Sequence, residues 1–163
     1  MKKFGSPRKT KFISEFPENS LSDSDIRSRC KFNFSFFDDS QPHGSGFHEL
    51  EAGVLADILL KIKSFTRNDL NYWRNERCGA HSLKVYADYK SFPARSEFKF
   101  PKAIPHDVNW GRFRLENLSR LIGFTIPGTF RPHETTDHFS YDFNTFYVVF
   151  IDLEHKFYLS EKR

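Results

Sequence analysis

The stretch FYVVFID, Phe146 to Asp152, decides how this chain is read. It is continuous, β-branched or aromatic, and without a charge until its last residue. A run of that kind is buried on both sides, so it reads as a central strand. Leu153-Glu154-His155-Lys156-Phe157-Tyr158 follow it at once. That sequence suits a catalytic edge at the end of a sheet, and it equally suits the polar turn of a hairpin.

Upstream, Arg112–Leu115 and Arg120–Ile126 read as two further strands with a short break at Glu116-Asn117, and Pro127-Gly128 as a turn. The segment 128–144 between them and FYVVFID is polar and long for a hairpin loop. SLKVYADY alternates Leu83, Val85, Ala87 and Tyr89 against Lys84, Tyr86 and Asp88, which predicts another strand. FKFPKAIP extends weakly, and Pro101 and Pro105 restrict it to an edge.

Nearer the start, KFNFSFF alternates so that Phe32, Phe34 and Phe36 share one face of a strand. HELEAGVLADILLKIKSF carries Leu55, Ile58, Leu59, Ile62 and Phe65 at helical spacing. Thr66 with Asp69 three residues on predicts the N-terminus of a second helix, anchored by Trp73 and stopping at Gly79. The order β, α, α, then three or more β predicts an α+β domain. It is an antiparallel sheet of four to six strands, with two N-terminal helices packed on one face.

The totals agree with one domain over 29–163, preceded by a flexible basic tail over 1–28. The chain has 163 residues, with 20 phenylalanines to build a core and only two cysteines, Cys30 and Cys78. No apolar run is long enough to span a bilayer, and the basic N-terminus lacks a hydrophobic signal region. A cytoplasmic protein without a membrane partner is expected. Residues 61–131 hold 14 Lys/Arg against six acids, a net of +8, between acidic flanks. A basic middle suits a phosphate-binding surface, unless the charges pair across strands and with the flanks.

In that middle, rings and cations interleave. Arg74 and Arg77 lie near Trp73, Lys84 near Tyr86, and Arg112 and Arg114 follow Trp110. This pattern fits stacking on unpaired RNA bases with phosphate contact. Strands that bury Phe and expose Lys produce it as well. His133, Asp137, His138 and Asp142 form the densest group of metal-ligand types, but their spacing matches no ligand motif. No metal site and no cofactor are expected. HGSGFH lacks the Lys-Ser/Thr of a phosphate loop.

Arg120-Leu121-Ile122-Gly123-Phe124, FYVVFI, His155-Lys156 and Tyr158, together with the element order, resemble the RelE/ParE superfamily of small bacterial toxins. SLKVY matches the strand after that family's helix pair. The resemblance covers roughly residues 31–159. Lysine stands at 156 where arginine is usual, and the loop 128–144 and the first 30 residues have no counterpart.

The resemblance implies a toxin-like RNA-binding protein, namely a metal-independent mRNA endoribonuclease with RNA or a ribosome and an antitoxin protein as partners. It assigns Arg120 to the phosphate, His155 to proton transfer, Lys156 to added charge and Tyr158 to stacking or proton donation. The structural alternatives are an Arg120–Glu116 pair, a turn capped by His155 and a plain edge aromatic at 158. A different class of function also stays open: a non-catalytic protein-interaction module of a mobile element.

Overall fold

The computed structural model describes residues 8, 11–12, 20–116, 118–131 and 140–159. Most of the tail 1–28, and within the loop 128–144 the residues His133, Asp137 and His138, lie outside the described residues. In chain order, a 3-10 turn at Asp25–Arg27 precedes β1 (Lys31–Asn33), α1 (Ala52–Phe65) and α2 (Leu70–Asn75). There follow β2 (Arg77–Cys78), β3 (Leu83–Lys84), β4 (Tyr86–Lys90), β5 (Asn109–Arg114), β6 (Arg120–Thr125) and β7 (Thr145–Asp152). The arrangement is α+β, as the periodicities predict.

Five strands form one sheet in the order β1-β7-β6-β5-β4, and β2 and β3 form a small hairpin beside it. FYVVFID is a strand with a neighbour on each side, β1 and β6. All main-sheet pairs are antiparallel except β1 with β7, which run parallel and align Phe32 with Phe146. The sheet is therefore mixed, because the helix pair returns the chain between the first strand and the rest.

Both faces are covered. On one, α1 and α2 lay Ile58, Phe65, Leu70 and Trp73 over Tyr86, Phe113, Leu121, Phe146 and Val148. Trp73 anchors α2, its Nε1 donating to the Phe65 carbonyl at 2.6 Å. On the other face Trp110, Ile122, Phe124, Val149 and Phe150 lie under Phe98, Ile104, Val108 and Phe157. That cover is irregular chain. FKFPKAIP is not an edge strand here. Instead the Gln41 side-chain amide takes the place of a pairing strand, donating to the Lys99 carbonyl at 2.9 Å and accepting from Lys99 N at 2.8 Å.

Val149 and Phe150 can both face this second layer because β7 is bulged. Ile122 pairs with Phe150 but Gly123 pairs with Val148, leaving Val149 in excess. The bulge brings backbone over Gly123, where a Cβ would overlap the Tyr147 carbonyl oxygen.

Other local expectations change. β1 ends at Asn33, and a turn closed by Phe37 N to the Phe34 carbonyl reverses the chain. Phe32 and Phe34 consequently join the helix-side core, while Phe36 joins the opposite layer. Asp69, not Thr66, caps α2, accepting from Tyr72 N at 2.6 Å. Thr66 instead closes α1, its hydroxyl donating to the Lys63 carbonyl. α2 ends at Asn75, before Gly79, which takes a φ of +69° beyond Cys78 at the head of the β2–β3 turn. Leu59 of the expected apolar stripe is 53% exposed. The main sheet strand begins only at Tyr86, which turns into the helix-side core.

Candidate functional site

β5 ends on Arg114 and β6 begins on Arg120, and these two residues are directly opposed in the ladder. Arg112 lies two residues back along β5. Strand alternation sends Arg112, Arg114 and Arg120 to the face of Trp110, Ile122 and Phe124, away from the helices. Three guanidinium groups thus sit at one end of a face otherwise filled with rings. Arg112 and Arg120 are buried and Arg114 is partly buried.

Arg112 and Arg120 are held from different sides. Arg112 Nε donates to the Tyr89 hydroxyl at 3.1 Å, and its Nη1 to the Lys84 carbonyl at 3.4 Å. Arg120 Nη1 donates to the Ser119 carbonyl at 2.7 Å. Burial, followed by repulsion from Arg112 and Arg114, pushes the Arg120 guanidinium down to about 10. Burial and the charge of Arg112 shift Arg114 in the same direction. Tyr89 moves the other way, raised by burial against the opposing pull of Arg112.

The other half comes from the end of β7. Asp152 is opposite Arg120 in the ladder and is buried. Its carboxylate accepts from the backbone N–H groups of Glu154, Lys156 and Phe157, at 3.2, 3.0 and 2.9 Å. These bonds wind residues 152–157 into a tight turn with His155 at a φ of +61°. Phe157 is pinned in the ring layer. The imidazole is partly buried within the field of Arg120. Burial lowers its pKa, with Arg120 and then Arg112 adding to the effect and Asp152 opposing it. Near neutral pH it is the uncharged form that is favoured, which can accept a proton.

Tyr158 stacks on Tyr89 with ring centroids 4.9 Å apart and planes 10° from parallel. It is 45% exposed, so it forms the solvent side of the site. Lys156 faces elsewhere, its Nζ on Glu97 at 3.2 Å, where His43 also pairs with the carboxylate. Arg74 reaches Asp88 at 3.7 Å and lies over the Tyr86 ring. Arg77 donates to the carbonyls of Arg74, Asn75 and Glu76 and finishes α2. Lys84 is exposed and joins the site only through its carbonyl. Glu116 pairs with Lys61 at 3.3 Å, α1 to the β5–β6 turn.

The structure places Arg112, Arg114 and Arg120 on one face, with His155 in the field of Arg120 and Arg112 and Tyr158 stacked on Tyr89. It leaves Lys156, Arg74 and Arg77 in other contacts. Sequence reasoning missed Tyr89 and Asp152 as site components. Tyr89, beside Lys90, was read only as one of the rings interleaved with cations, and Asp152 only as the turn residue capped by His155 in the structural alternative. Among the described residues no group of three or more His, Cys, Asp or Glu is placed to hold a metal ion. Nor, among them, is any helix long and apolar enough to cross a membrane.

No family model, no curated protein and no solved structure matches this chain. What the coordinates define is a class of fold: a first strand, two helices and then a mixed sheet, consistent with a RelE-like topology at the level of the fold alone.

Proposed function

We propose that this chain is a toxin-like RNA-binding protein that cleaves RNA without a metal, in the manner the RelE resemblance implies. What supports the reading is that Arg120 and Arg112 share one sheet face and that the turn carrying His155 follows Asp152, the residue opposite Arg120 in the ladder. Guanidinium groups offer two parallel donors to a phosphate, and out of water they stabilise charge that builds up on it. The neutral imidazole takes the 2′-hydroxyl proton as that oxygen bonds to phosphorus and the bond to the 5′-oxygen breaks, which leaves a 2′,3′-cyclic phosphate, and the imidazolium then returns a proton to the departing 5′-oxygen. Tyr158 gives a ring for an unpaired base. Lys156 and Arg74 have lesser parts, since each is engaged by a carboxylate.

The experiment is an RNA cleavage assay on the purified chain, with and without ribosomes. Cleavage should appear for the native chain and fall by about a hundredfold or more in His155→Ala and Arg120→Ala, each checked for folding. Folded native protein that cuts no RNA in either condition would sink the reading.

The protein-interaction reading keeps one observation in its favour. On α1, Val54, Leu59 and Leu60 are 39%, 53% and 62% exposed. Capture of a small antitoxin-like protein by the native chain, lost in Leu60→Asp, together with no cleavage, would favour it.

A further inference from the structure

At the opposite end of the arginine-bearing face lies a groove of about 370 Å³ that the cleavage reading does not use. Phe124 and Tyr147, neighbours on β6 and β7, form its wall, their rings 4.9 Å apart and 7° from parallel. Phe36 meets both rings edge-on, and Phe130 and Tyr141 add a second edge-to-face pair. Among the described lining residues Asp107 alone is charged, and it is exposed at the rim.

The partly exposed Tyr147 ring, backed by the buried Phe124, suits a planar ligand. The carboxylate narrows the choice, because it only accepts hydrogen bonds and has two oxygens to satisfy. Among the four RNA bases, guanine alone carries two adjacent N–H donors on its Watson–Crick edge, at N1 and N2. Adenine and cytosine set an acceptor beside their amino group, and uracil flanks its one N–H with carbonyls. An aliphatic ligand would fill the groove without using the acceptors of Asp107.

We infer that this groove binds an unstacked guanine base, with Asp107 accepting from N1–H and N2–H. The inference rests on the RNA-directed reading for its choice of ligand. It also gives that reading a specificity pocket. Phe124 lies four residues along β6 from Arg120, about 13 Å at strand spacing, so one short unpaired strand spans both sites.

The test uses nucleosides, which carry no phosphate, on the full chain. Guanosine should shift the aromatic NMR signals of Tyr147 and Phe124 and bind about tenfold more tightly than adenosine, cytidine or uridine. Asp107→Asn should abolish that preference without unfolding the chain, because the side chain is exposed. Tyr147→Leu should weaken all four. Arg120→Ala should leave guanosine binding as it was. Equal affinity for the four nucleosides, no shift up to the solubility limit, or an unchanged guanosine preference in Asp107→Asn overturns the inference. Those results leave RNA cleavage standing, just as an inactive chain that still selects guanosine leaves the pocket standing.

Discussion

Asp152 is one carboxylate with three backbone hydrogen bonds, and through them it sets the turn that carries His155. Asp152→Ala would leave three N–H groups in or near the interior without an acceptor. It should lower stability by about 3 kcal/mol or more, read by denaturant titration. The imidazole gives a separate signal. Its folded pKa lies below the ordinary 6.5, through burial and the nearby guanidinium charges. The unfolded chain therefore binds this proton more readily than the folded one. The associated stability is complete above 6.5 and is lost as pH falls through the folded value. An NMR titration should place the His155 midpoint below 6.5, and Arg120→Ala should move it upward. A midpoint unmoved by that substitution would separate the two side chains.

Among the elements, β7 shows what a sequence reveals and what it hides. Seven residues without a break are enough to mark a central strand, and the helix that ends at Phe65 declares itself by period. The bulge at Val149 does not, since nothing in Tyr-Val-Val-Phe distinguishes a regular ladder from an irregular one. Its only trace is Gly123 on the partner strand. Gly123→Ala should cost about 3 kcal/mol, seen as a lower denaturation midpoint, because the added methyl meets backbone rather than a yielding side chain. KFNFSFF misleads for a related reason: alternation continues through Phe36, whereas hydrogen bonding turns the chain at Phe34. In the candidate site, Arg120 and His155 were singled out through the RelE resemblance, which matches short motifs at each. Tyr89 and Asp152 were not, since their roles arise from where distant strands bring them.

At the scale of the whole molecule, a single sheet is sealed by helices on one side and by irregular aromatic chain on the other. The sheet separates two cores. Ile58→Val in one and Ile104→Val in the other should each cost about 1 kcal/mol, and the double variant should equal their sum within about 0.5 kcal/mol. A clear excess would mean that the layers respond as one. The same layout sets carboxylates near the arginines: Asp152 is opposite Arg120 in the ladder, and Asp57 and Glu116 line one cleft with Ser119.

The parallel union of β1 with β7 bears on how the polypeptide emerges from a ribosome. Lys31–Asn33 is made long before Thr145–Asp152, its one sheet partner among the described residues. Until that strand arrives, the Phe-rich opening segment has no ladder to join, and closure waits on a contact of very long sequence separation. Slow, late maturation, with an interval of exposed phenylalanine during translation, is thus written into the strand order.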